Sequence, residues 1–269
     1  KWREKNKSRL KQPEERTIRI WPSDRVGDIT IIAAIAGFAG AKIFDNLENW
    51  DRFIQDPIGN LLSPSGLTFY GGLILATFAL WYYFNRNHIS FIKVADAASP
   101  PLMLAYAIGR IGCQVAGDGD WGKINPFANP FSWLPNWAWA YTYPHNVNKE
   151  GSPIAGCDWG EYCNQLPMPV YPTPLYEILM ALIVFGILWA LRKRIKITGR
   201  LFGVYLFLNG IERFTIEQIR VNNKIPFLGM QPTQAEIIAV LLIITGIILY
   251  AYSPKLKVNR LRNEAAKPA

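Results

Sequence analysis

Six stretches of the chain stay apolar for about the length of a membrane crossing. They fall near residues 28–44, 66–84, 94–112, 173–191, 201–219 and 233–252. Residues 66–84 (GLTFYGGLILATFALWYYF) carry no charge, and residues 233–252 carry one, Glu236. About 20 apolar residues in a helix match the thickness of a hydrocarbon core. None of the six stretches alternates with a period of two, so outer-membrane strands do not fit. The pattern predicts an all-α polytopic membrane protein with six transmembrane helices. A polar, aromatic-rich segment, 113–172, is predicted as a loop-rich head outside the membrane. The organisation that follows is a basic segment 1–27, a transmembrane domain 28–252 and a basic tail 253–269.

Charge sharpens this picture. The chain has 29 Lys+Arg against 20 Asp+Glu, a net +9 over 269 residues. That balance alone suggests nucleic acid. Its placement argues otherwise: 21 basic residues fall in segments on one side of the predicted membrane and five on the other. The remaining three, Lys42, Arg110 and Arg213, lie within or at the ends of spans. Cytoplasmic loops carry the excess of Lys and Arg. Both ends of the chain are therefore expected in the cytoplasm, and 113–172 outside. Membrane lipid, rather than nucleic acid, is the partner that basic residues flanking spans imply. The mean hydropathy of +0.07 averages over these segregated parts. An aromatic content of 13% excludes a disordered chain. Residues 1–25 have no apolar core and are not a signal peptide. The sequence opens on Lys1, and a further span upstream is an expectation that fits a basic cytoplasmic start.

The 113–172 segment holds Trp121, Trp133, Trp137, Trp139 and Trp159. An interfacial aromatic belt is the default reading. The sharper one is a small head that helps seat a second substrate. Cys157 and Cys163 would form a disulfide there if the compartment is oxidising. A metal site is less favoured, because His145 is the only nearby histidine to add to two cysteines.

Ionisable residues inside spans are costly and are functional candidates. Arg110 ends an apolar stretch between Gly109 and Gly112, with Gly117, Asp118, Gly119, Asp120 and Gly122 following. A guanidinium beside open backbone N–H groups is an anion seat. Arg213, Glu217 and Arg220 fall at i, i+4 and i+7, one face of a helix. That stripe reads equally as a polar cavity wall or as an ion-pair ladder locking helices. Tyr176 and Glu177 stand where a span begins, where a carboxylate suits the helix N-terminus without further function. Gly71-Gly72 beside Tyr70 reads first as close helix packing. No GxSxG, HExxH or P-loop pattern occurs, and His88 and His145 form no dyad. No cofactor or metal is expected.

At these motifs the sequence resembles the prolipoprotein diacylglyceryl transferases, polytopic inner-membrane enzymes of bacteria. Their signature runs approximately G-R-x-G-N-F-x-N-x-E-x-x-G. Gly109-Arg110-Ile111-Gly112 matches its opening and Trp121-Gly122 its close. The later R-F-x-x-E-F-x-R matches Arg213 to Arg220 with one change. H-P-S-Q-L-Y-E is close to Tyr171 to Glu177, and S-F-H-G-G-L to Thr68 to Leu73. The four blocks occur in order and cover about residues 28–252.

The resemblance implies transfer of a diacylglyceryl group from phosphatidylglycerol to the lipobox cysteine thiol of a prolipoprotein, with release of glycerol phosphate. It implies seven spans with an outside N-terminus, one more than the six visible here. Arg110 and Arg213 would bind the lipid phosphate, with Glu217 orienting Arg213. Gly109, Gly112, Tyr176, Glu177 and Arg220 would complete substrate binding. The base stays open between Tyr70, Asp118 and Glu177, or the thiol needs none beside two arginines. Departures from the family pattern are Cys113 and Ala116 for two Asn, Asp118 or Asp120 for Glu, and Tyr70 for a His. They leave an alternative: a non-catalytic relative, or a lipid-binding or transport protein using the same Arg-lined cavity.

Overall fold

The computed structural model describes residues 22–63, 66–222, 224–226 and 231–256. The expected upstream span and most of the basic ends lie outside them. The chain divides into two compact units, residues 1–91 and 92–269.

The first unit is built on α1 (Val26–Glu48) and α4 (Phe69–Arg86), joined by short helices α2 (Trp50–Gln55) and α3 (Pro57–Leu62). Pro57 starts α3 with its φ already helical, and Asp56 accepts from the Gly59 N–H at 2.9 Å. The α1–α4 crossing depends on small residues. A Cβ on Gly40 would lie 2.4 Å from the Gly71 carbonyl oxygen, and one on Gly71 2.5 Å from that of Gly40. The glycine pair read as close packing does just that. Lys42 is buried yet satisfied: its Nζ donates to the Ser63 carbonyl at 2.8 Å.

The second unit contains α5 (Phe91–Ala116), α6 (Asn136–Trp139), α7 (Thr173–Leu191), α8 (Arg200–Glu217) and α9 (Gln234–Tyr252). Its core joins Met103 and Ala107 of α5 to Ala181, Val184 and Leu188 of α7 and Leu201 of α8. Asp96 fixes the start of α8 by accepting from the N–H groups of Gly199 (2.6 Å) and Phe202 (2.7 Å). Thr233 and Glu236 form a reciprocal capping box that starts α9. The α8–α9 contact is again backbone on backbone: a Cβ on Gly203 would meet the Gly246 oxygen at 2.9 Å.

Each of the six apolar stretches forms a long helix. Four are long and apolar enough to cross a membrane: Ser23–Glu48, Phe91–Ala116, Thr173–Leu191 and Gln234–Lys255. The other two fall short in composition. Helix α4 ends in Tyr82-Tyr83-Phe84-Asn85-Arg86, and α8 carries Arg200, Glu212, Arg213 and Glu217. The apolar helices leave large side chains uncovered, such as Val115 (82%) and Ile183 (62%). Water would oppose such a surface and lipid favours it. The chain is a predominantly helical, multi-pass membrane protein.

Residues 117–172 are mostly irregular, with α6 and a two-stranded antiparallel ribbon, β1 (Ser152–Pro153) and β2 (Asn164–Gln165). Cys157 and Cys163 are disulfide-bonded across the turn of that ribbon. Their sulfurs are therefore not free ligands, and His145 instead stacks on Trp159 at 4.1 Å. A second core of Tyr143, Leu166 and Val170, with Trp121 and Tyr141 against it, holds the segment together. Trp133, Trp137 and Trp159 stay exposed.

Candidate active site

Three pieces of the second unit meet at the loop after α5. Gly117 (φ +61) and Gly119 (φ +96) take left-handed backbone that side chains resist, and so turn the chain sharply. Residues 122–125 then run between two other segments. The Gly122 N–H donates to the Tyr171 carbonyl at 2.9 Å, and the Lys123 N–H to that of Ile219 at 2.8 Å. Gly122 also forms a bridge with Arg220. A side chain at Gly122 would collide with Ile219, Thr173 and Tyr171 atoms 2.8–2.9 Å away. The glycine thus brings Asp120, Glu177 and Arg220 within reach of Arg110.

The result is a closed ring of alternating charges. Arg110 pairs with Asp120 and with Glu177; Arg220 pairs with Asp120 and, at 3.4 Å, with Glu177. Tyr106, one turn before Arg110, donates to Glu177 at 2.6 Å, and the Arg110 guanidinium lies over its ring at 5.0 Å. The Thr173 hydroxyl donates to the Asp120 carbonyl at 2.5 Å. Glu177 is wholly buried, whereas the Asp120 side chain keeps 29% exposure and is the open member of the ring. Paired guanidiniums and carboxylates in a dry setting are strongly held.

Asp120 also sets an acid sensitivity. Burial pushes its carboxyl up, but Arg220 and Arg110 overcome this and hold it below the usual carboxylate range. Because the folded value is depressed, the stabilisation is full above the unfolded value of about 4. It is lost as pH falls through the folded value. Asp120→Asn is expected to lower the thermal midpoint at pH 7, and the gap to wild type should close as pH drops below about 4. A gap independent of pH would contradict this role.

The structure sorts the residues expected from sequence. Arg110, Glu177 and Arg220 come together. The expected i, i+4, i+7 stripe is interrupted: α8 ends at Glu217, and Arg220 reaches the ring from the bridge with Gly122. Arg213 pairs instead with Glu217 at 3.6 Å, and Glu217 accepts from Asn222 at 2.6 Å. Gly109 and Gly112 lie inside α5, where backbone N–H groups belong to the helix ladder, so they do not form the open anion seat expected. Tyr176 turns its hydroxyl to the carbonyls of Ala138 (3.3 Å) and Trp139 (3.4 Å). Asp118 is exposed, its Oδ1 accepting from the Asp120 N–H at 3.4 Å. Tyr70 is in the first unit, near the start of α4.

Sequence reasoning missed Tyr106 and Glu212. Tyr106 could have been found as the residue four before Arg110, and Glu212 as a further charge inside an apolar stretch. Cys113, Asp118 and Asp120 bring possible metal-ligand atoms within 4.8 Å of one another. Asp120 there already faces two guanidiniums, which oppose a cation.

A protein-family model described as prolipoprotein diacylglyceryl transferase matches residues 7–252. The chain belongs to this family. A phosphatidylglycerol–prolipoprotein diacylglyceryl transferase of Corynebacterium efficiens is 33% identical over 76% of this chain and 61% of its own length. One from Dehalococcoides mccartyi is 29% identical over 85% of this chain and 77% of its own length. One from Corynebacterium diphtheriae is 30% identical over 77% and 71%. The chain thus spans about three-fifths to three-quarters of the prolipoprotein diacylglyceryl transferases it matches, and the match takes in every residue of the charge ring.

Proposed function

We propose that this chain transfers the diacylglyceryl group of phosphatidylglycerol to the lipobox cysteine thiol of a prolipoprotein, releasing glycerol phosphate. The observation that carries the reading is the ring in which Arg110 and Arg220 converge, on a chain matched by the family model over residues 7–252. The lipid donor is an anion. Its phosphate enters from the Asp120 side and takes over guanidinium hydrogens that Asp120 holds in the resting site. As the carbon–oxygen bond breaks, charge grows on the leaving phosphate oxygen. Fixed guanidiniums stabilise that charge more than the ground state, which is the source of rate. Glu177, buried and bonded by both arginines, keeps the two forks aimed. Arg213, oriented by Glu217, supplies a second contact for the headgroup. Gly109, Gly112, Tyr176 and Asp118 lie along the path of the lipid.

The same reading gives six spans, with the basic tail cytoplasmic and residues 113–172 on the outer face of a bacterial inner membrane. Residues 28–252 form the membrane transferase domain.

The decisive experiment incubates the purified chain with phosphatidylglycerol vesicles and a lipobox peptide. The expected result is a diacylglyceryl mass increase on the cysteine. No increase, where another member of the family works, would favour the non-catalytic reading. Topology has its own test. A membrane-impermeant thiol reagent should label Cys157 and Cys163 in intact spheroplasts only after reduction. Labelling confined to inverted vesicles would reverse the orientation.

A further inference from the structure

A cleft of about 570 Å³ opens at the far end of the second unit, between the start of α5, the end of α7 and the start of α8. Its size falls in the range of pockets that hold small molecules. It is separate from the charge ring: along α5, Lys93 and Arg110 stand about 25 Å apart at 1.5 Å rise per residue. The walls are apolar, with Pro100, Leu104, Phe185 and Leu201 among them. Two cations, Lys93 and Arg192, also line it.

Those cations are available. Among the described residues neither is in an ion pair. Arg192 lies over the Trp189 ring, which holds the guanidinium beside a half-exposed indole of the kind that sits at membrane interfaces. The cleft has one carboxylate, Asp96, and both its oxygens are taken up by N–H groups at the start of α8, those of Gly199 at 2.6 Å and Phe202 at 2.7 Å. From Arg192 to Arg200 the chain carries five basic residues and no acid. An apolar cleft flanked by unpaired cations on a lipid-facing surface is complementary to a molecule with an anionic head and an apolar tail.

We propose that this cleft binds one anionic phospholipid, its phosphate on Lys93 and Arg192 and an acyl chain along Leu104, Phe185 and Leu201. The leaflet is the cytoplasmic one in the orientation given above, opposite to the charge ring. The site does not take part in transfer and does not depend on the transferase reading. Headgroup charge decides its occupancy. Within a bilayer an acyl chain gains little from an apolar wall, because its other surroundings are equally apolar. Each basic group near an anionic lipid surface contributes about 1 kcal/mol. The bound lipid ties the ends of α5 and α7 to the start of α8, so it stabilises the folded chain by mass action.

The test uses the full chain in phosphatidylcholine vesicles doped with phosphatidylglycerol that carries a diazirine near the glycerol end of one acyl chain. After irradiation, peptide mapping should place adducts within residues 93–104 and 185–201. Unlabelled phosphatidylglycerol should compete them away, and extra phosphatidylcholine or free glycerol phosphate should not. The double variant Lys93→Gln/Arg192→Gln should lose these adducts about 10-fold or more. The charge-conserving Lys93→Arg/Arg192→Lys should keep them, which separates lost charge from a damaged fold. Arg110→Ala should keep them as well, since its side chain belongs to the other site. In detergent, added phosphatidylglycerol should raise the thermal midpoint of wild type more than that of the double glutamine variant. Adducts within threefold of wild type in the glutamine variant, or equal competition by phosphatidylcholine, would overturn the proposal and mark ordinary boundary lipid. Competition by free glycerol phosphate would overturn it in favour of a site for soluble anions. Loss of the adducts in the charge-conserving variant as well would mark a structural role for the two side chains and overturn it too. A wild-type chain that labels here but gives no diacylglyceryl transfer fails the transferase reading and leaves this one standing.

Discussion

Arg110→Ala is expected to abolish transfer, with kcat/KM falling at least about 10³-fold, while the chain still inserts into the membrane. Removing one preorganised donor for a developing oxyanion costs about 10²–10³ in other enzymes. Here one side chain serves Asp120, Glu177 and the incoming phosphate together, so the loss should sit at or above the top of that range. Stability should fall as well, by about 3–5 kcal/mol, because Glu177 loses its closest cation while fully buried. Arg110→Lys separates the two effects. It keeps a positive charge but lacks the planar fork that bridges two carboxylates. It should recover most of the stability and little of the activity. Mass spectrometry of the lipobox peptide, alongside thermal melts in detergent, reads both. Full turnover in Arg110→Ala would sink the site assignment.

Much of this was legible in the sequence because membrane burial leaves a long-range record. Uncharged runs, the bias of Lys and Arg toward one side, and charges out of place inside spans marked the helices and Arg110. What the sequence left open was set by loop geometry. Asp118 and Asp120 are two residues apart and chemically identical. Gly117, Gly119 and the bridge at Gly122 direct Asp120 inward, while Asp118 stays exposed. Helical spacing likewise placed Arg220 on the same helical face as Arg213. The helix ends at Glu217, so the residue reaches the ring along another path. Glu177 at a helix start had a sufficient local explanation in the helix dipole. Its central place became visible only when α5, α7 and the segment after α8 were brought together.

Glu177→Ala is expected to have the second large effect, on folding first and activity second. Glu177 is the dry half of the ring, while Asp120 is the half open to solvent. Without Glu177, two guanidiniums face each other with one carboxylate between them, and Tyr106 loses its acceptor. Truncating one partner of a buried charge set costs about 3–5 kcal/mol. Transfer should fall with it, since nothing then holds Arg220 and Arg110 in register. Glu177→Gln keeps an acceptor for Tyr106 but not the charge, and should fall between wild type and alanine. A double-mutant cycle of Arg110→Ala and Glu177→Ala gives the clearest reading. Strong coupling, with the pair far less damaging to stability than the sum of the singles, follows if the two charges are buried against each other. Additive losses would mean that Glu177 serves the helix start alone, and that Asp120 by itself aims the arginines.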